Sequence, residues 1–134
     1  MIAMDLAREL KVAGLPWRPQ RADLAMDRLN VAFIVLSDGT DDAGGVQIDT
    51  GRGVERRPSL GLTWLPRLDQ LLAVFARRGA FELGGRPAAA GRRDVIWRLS
   101  LPEGPTTRTF EASDPADAAG LALHYLLAEA GWRA

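Results

Sequence analysis

Apolar residues recur at helical spacing in three stretches of this chain, and alternate or run unbroken in the segments between. Ile2, Leu6 and Leu10 follow one another every four residues, with Ala3, Ala7 and Ala13 filling in, which predicts a short amphipathic helix ending at Gly14. Leu15 to Arg21 is punctuated by Pro16 and Pro19 and reads as a loop. Val31 to Leu36 is apolar throughout and bounded by Asn30 and Ser37-Asp38-Gly39, the pattern of a central strand. Leu24 to Met26 predicts a short partner strand, with a helix over Arg21 to Leu29 as the competing reading. Val46 to Asp49 predicts a third strand. Gly51 to Arg57 reads as a turn, after which Leu60 and Leu62 extend the sheet.

A second helix is expected from Thr63 as N-cap, with Pro66 in its first turn. Trp64, Leu68, Leu71, Leu72 and Phe75 would form its apolar face, and Gly79 its end. Phe81 to Leu83 is a short strand or turn, and Gly84 to Gly91 a loop. Val95, Trp97 and Leu99 alternate with polar neighbours, as a half-buried strand does. Pro102 to Pro105 turns the chain into a return strand over Thr107 to Glu111. The last helix has the strongest start signal: Asp114 at the N-cap, Pro115 at the first position and Asp117 in the first turn. Behind it, Leu121, Leu123, Leu126 and Leu127 point around most of the circumference, and Gly131 ends the run.

The expected order is α-β-β-β-α-β-β-α. Short turns make the strands antiparallel, so the fold class is α+β, an antiparallel sheet with helices packed on one face. With 134 residues and no internal repeat, the chain is expected to be a single domain, 1–134.

Composition changes this picture little. Seventeen basic residues balance seventeen acidic ones, and cutting the chain at Arg67 leaves each half neutral. That lacks the footprint of a nucleic-acid binder, so Arg52, Arg56, Arg57, Arg92 and Arg93 are not expected to form one. Among the basic residues only Lys11 is lysine, and Asn30 is the only asparagine, a bias that a GC-rich genome explains. There is no cysteine, which excludes disulfides, thiol nucleophiles and cysteine-held zinc. No apolar run reaches the roughly 20 residues of a membrane-spanning helix. Asp5 and Glu9 break the apolar N-terminal stretch, unlike a signal peptide, and the expected location is the cytoplasm.

Candidate chemistry is sparse. Asp38, Asp41, Asp42 and Asp49 fall partly into the spacing of a calcium loop, but Ala43 occupies the position that needs glycine, and Asp49 stands where a bidentate glutamate belongs. A solvated hairpin loop is the expectation, with no metal. His124 is the only histidine and lies mid-helix beside Tyr125. Ser37, Ser59 and Ser100 lack a nucleophile-elbow pattern. Gly51-Arg52-Gly53 and Gly84-Gly85-Arg86 lack the lysine and helix start of a phosphate loop, so no cofactor is expected. Of the four tryptophans, Trp64 and Trp97 fall on core-facing positions, while Trp17 and Trp132 lie just outside helix ends.

Two stretches carry a resemblance. Thr63 to Leu72, and Phe110-Glu111-Ala112 followed by Asp114 to Ala119, resemble small phage and prophage proteins with a Trp-Leu-Pro helix start and a final alanine-rich helix. The resemblance covers about half the chain, rests on structural caps and implies no activity. The order of elements is similar to that of type III secretion chaperones, which implies a peptide-binding dimer; those proteins are typically acidic, and this chain is neutral.

A helix apolar almost all round needs cover on more than one side. The expected function is therefore a non-catalytic, self-associating interaction module, a homodimer with a protein partner and of mobile-element origin. Leu121, Leu123, His124, Leu127 and Trp132 are its expected interface. The N-terminal helix is the competing cover. The alternatives are a small enzyme using His124 with an acidic partner, and a chaperone-like peptide-binding dimer.

Overall fold

The computed structural model describes every residue except Ala90 and Arg92. In chain order the elements are α1 (Met4–Val12), β1 (Leu24–Met26), β2 (Ala32–Val35), β3 (Gly45–Asp49), β4 (Val54–Pro58), a 3-10 turn (Ser59–Gly61), β5 (Thr63–Leu65), α2 (Leu68–Arg78), β6 (Glu82–Pro87), β7 (Val95–Glu103), β8 (Thr106–Ala112) and α3 (Pro115–Ala128). The fold class is α+β with antiparallel pairing, and the expected order of elements is present. The strands divide between two sheets, ordered β4-β3-β2-β1-β5 and β6-β7-β8. Each belongs to one of two compact units: Pro16–Pro66 holds the first sheet, and Met1–Leu15 with Arg67–Ala134 holds the second.

In the Pro16–Pro66 unit the two-residue alternation puts Val35, Val46 and Ile48 on one face with Ala25, where they are buried over Leu62. Trp17 and Phe33 pack against this core. The loop before β1 is fixed by Asp23, only 2% exposed, whose Oδ2 accepts from the Trp17 indole and from the Gln20 amide, each at 3.0 Å. Trp17 thus closes a core edge.

In the other unit α3 is central. It packs on β7 and β8 and is flanked by α1 and α2. Leu99 and Leu101 are buried, while Arg98 and Glu111 on the opposite face are exposed, so the sheet is covered on one side. Asp114 caps α3 as expected, its Oδ1 accepting from the amides of Ala116 at 2.8 Å and Asp117 at 3.4 Å.

Three local expectations are corrected. Thr63 is not an N-cap: Thr63 to Leu65 form β5, and α2 begins at Leu68 after Arg67, whose N–H donates to the Gln70 side chain at 2.9 Å. Pairing of Thr63 to Leu65 with β1 is the reason, and Pro66 suits it by favouring extended backbone in the residue before it. Trp64 accordingly lies on a strand, and the buried face of α2 is Leu71, Val74 and Phe75. The turn expected over Gly51 to Arg57 ends at Gly53, β4 begins at Val54, and Leu60 and Leu62 do not extend a strand: Leu60 lies in the 3-10 turn and Leu62 just beyond it. The glycine-rich segment expected as a loop is strand β6 as far as Pro87. Gly85 there pairs with Trp97, and a Cβ on Gly85 would lie 3.2 Å from the indole ring.

Candidate groove between α1 and α3

Helices α1 and α3 run side by side from a shared start. The Ala3 amide donates to Asp117 Oδ1 at 2.7 Å. One turn on, Gly120 faces Ile2 and Leu6, and a Cβ on Gly120 would lie 2.8 Å from Leu6 Cδ2. This close approach buries Ile2, Leu6 and Leu10 against the side of α3 that the sheet leaves open. The N-terminal helix therefore supplies the cover that the leucines of α3 require.

Farther along, the helices frame an open groove of about 480 Å³ lined by Arg8, Glu9, Val12, Ala13, His124 and Ala128. Val12 is 88% exposed. Leu121, 39% exposed, lies on the stripe of α3 that continues through His124 and Ala128. Of the residues expected to form an interface, Leu123 and Leu127 are buried within the unit, Leu121 is exposed, and His124 and Trp132 are half-buried. The groove adds Val12, Arg8 and Glu9. The helical spacing of Ile2, Leu6 and Leu10 hid Val12, which falls outside that apolar set.

His124 and Glu9 share the groove, but its walls are mainly Val12, Ala13 and Ala128. The other ionisable clusters are occupied. Glu103 accepts the Tyr125 hydroxyl at 2.9 Å and Arg108 Nε at 2.9 Å, while the Arg108 guanidinium lies 4.3 Å from the Tyr125 ring centroid. Arg108, and then the Tyr125 hydroxyl, hold Glu103 below the ordinary carboxylate range. Donation to Glu103 keeps the Tyr125 phenol above its ordinary value. This cluster fastens the β7–β8 hairpin to α3. On the outer face of the same sheet Glu111 takes Arg98 Nε at 2.8 Å and Arg86 at 3.5 Å.

The acidic loop is likewise engaged. Asp41 accepts from the amides of Ala43 and Gly45 and from Arg56 Nε at 2.6 Å. Arg56 is the main cause holding Asp41 far below the ordinary range. Asp38 accepts from the Arg21 amide and Asp49 from the Gly51 amide. Among the described residues no group of three His, Asp or Glu side chains could hold a metal ion. Of the arginines weighed for nucleic acid, Arg56 pairs with Asp41 and Arg57 with Glu55, and Arg92 lies outside the described residues. No helix among the described residues is long and apolar enough to cross a membrane. The chain matches no family model, no curated protein and no solved structure.

Proposed function

We propose that the chain is a non-catalytic interaction module that pairs with a second copy and receives a protein partner in the α1–α3 groove. The observation that carries this reading is the groove itself, an apolar trough with Val12 almost fully exposed on its wall and one base and one acid, Arg8 and Glu9, beside it. Single exposed apolar side chains are ordinary, but an apolar trough edged by charge is how a surface receives the apolar face of a partner. Sedimentation at micromolar concentration should give twice the mass of one chain; a single-chain mass without concentration dependence removes self-association. For the groove, saturable binding of the apolar dye anilinonaphthalene sulfonate should be lost in Val12→Asp at an unchanged melting temperature. Equal binding by both proteins would remove the groove from the proposal.

A second reading, an enzyme using His124 with Glu9, is favoured by their sharing one groove. It predicts a pH-dependent activity that His124→Ala abolishes, whereas an interaction groove keeps its dye affinity in that variant.

A further inference from the structure

We propose that the outer face of β6 and β7 binds a small phosphate monoester with a hydroxylated body, its phosphate on Arg86 and Arg98 and its body over Gly84. The site is separate from the α1–α3 groove and does not rest on the reading of that groove.

The strand register assembles it. Glu82, Gly84 and Arg86 alternate onto one face of β6. Pairing sets Glu82 opposite Ser100 and Gly84 opposite Arg98, and β8 sets Glu111 on the far side of Arg98. Glu82, Gly84, Arg86, Arg98 and Ser100 line an open hollow of about 530 Å³. Gly84 is its floor. Gly85 is accounted for by packing, since a Cβ there would meet Val95 and Trp97. A Cβ on Gly84 would meet nothing within 4 Å, and its backbone is not left-handed. Nothing in the fold calls for glycine at this position, although glycine weakens a strand. Within a strand it often marks a place where a ligand approaches the backbone.

Charge identifies the ligand. Two guanidiniums share one carboxylate: Arg98 gives Nε to Glu111 Oε1 at 2.8 Å and Nη2 to the same oxygen, while Arg86 Nη2 lies 3.5 Å from Oε2. One positive charge is left over. Glu111 thus holds the two forks converging on the span of a single acid group. Nη1 of Arg98, and Nε and Nη1 of Arg86, have no acceptor among the described residues. Such forks match the oxygens of a carboxylate or a phosphate. The three oxygens and the charge of about −1.5 to −2 of a phosphate monoester suit two arginines better than a second carboxylate does. Glu82 stands at the other end of the hollow, about 13 Å from Arg86 along β6 at the ordinary strand rise. It repels a second negative charge, which disfavours a polyanion such as nucleic acid. Its carboxylate and the Ser100 hydroxyl accept hydrogen bonds, so the far end of the ligand is a donor, which a polyol supplies. Gly84-Gly85-Arg86 takes phosphate as a strand, through side chains, and not as a loop, through amides.

The test titrates the intact protein at low ionic strength and follows backbone amide resonances. Glucose 6-phosphate should shift those of Gly84, Arg86, Arg98 and Ser100 saturably in the millimolar range. Glucose should shift none of them, and inorganic phosphate should bind at least about threefold more weakly than the ester. Arg98→Gln removes exposed donors only and should weaken the ester at least about tenfold, the loss of one charged hydrogen-bonded contact. Gly84→Thr fills the floor with a residue that favours strands, and should abolish binding without lowering the melting temperature. Glu82→Ala should weaken the ester and spare inorganic phosphate. Absence of saturable shifts, equal affinity for ester and inorganic phosphate, or binding unchanged by Arg98→Gln or Gly84→Thr overturns the site. None of these outcomes alters the sedimentation or the dye binding that test the α1–α3 groove.

Discussion

Gly120 sits where α1 and α3 approach most closely. Alanine favours a helix interior by about 1 kcal/mol over glycine, yet a Cβ there would meet Leu6 at 2.8 Å and Ile2 at 3.0 Å. Overfilling a packed site costs about 1–3 kcal/mol. Gly120→Ala should therefore destabilise the protein by up to about 2 kcal/mol in urea unfolding despite its better propensity. A stabilised variant would mean that α1 yields easily. Trp64 presents the opposite case. Its indole N–H is buried and has no partner among the described residues, and such a group costs about 1–3 kcal/mol. Trp64→Phe loses packing but removes that cost, so its stability should fall by less than about 1 kcal/mol. A loss above about 3 kcal/mol, the usual range for an aromatic truncated to alanine in a core, would show that the indole makes an essential contact. Neither role was legible in the sequence, where Gly120 is one small residue in an alanine-rich helix and Trp64 reads as part of a helical face. A cap such as Asp114 was legible, because the amides it caps, those of Ala116 and Asp117, lie within three residues.

At the level of elements, the face of α2 gives a direct comparison. Leu71 is fully buried and Leu72 only partly, because the buried face of α2 runs through Leu71, Val74 and Phe75. Leu71→Ala should cost about 2–5 kcal/mol through lost transfer energy and a cavity, and Leu72→Ala clearly less. Equal losses would return α2 to the face expected from the sequence, with Leu72 as buried as Leu71. The same element shows what a linear pattern leaves out. Pro66 fits a helix's first turn as well as it fits a strand's end, and the choice is made by pairing of Ala25 with Trp64 across β1 and β5. Strand β6 was hidden for a related reason. Gly84 and Gly85 look like loop residues until Trp97 is laid over Gly85 from the neighbouring strand. Alternation in β7 and the cap of α3 needed no such distant partner. In the groove, His124 was legible as the lone histidine, whereas Val12 and Glu9 acquire meaning only from the neighbouring helix.

At the scale of the whole molecule, both units pair arginine with carboxylate locally. Asp41 in one unit, and Glu103 and Glu111 in the other, are each held below the ordinary carboxylate range, chiefly by Arg56, Arg108 and Arg98 respectively. On acidification such groups take up protons in the unfolded chain before the folded one. Their contribution to stability is therefore complete above the ordinary carboxylate range and is lost as pH falls through and below it. Tyr125 acts at the other end. Its phenol is held above the ordinary value by donation to Glu103, so the unfolded chain ionises first and stability falls as pH rises past that value. The melting temperature should thus be level through neutral pH and decline on both sides. Glu103→Gln should flatten part of the acid decline and shrink the alkaline one, since the charged acceptor of the Tyr125 hydroxyl is gone. Tyr125→Phe should remove the alkaline contribution and leave most of the acid decline. All these pairs are solvent-exposed, so about 1 M salt, which shortens the screening length to about 3 Å, should narrow the differences between variants. Calorimetric melting across pH at low and high salt provides the measurement. An acid decline identical in wild type and Glu103→Gln would show that the Arg108–Glu103–Tyr125 cluster does not hold the hairpin to α3 in solution.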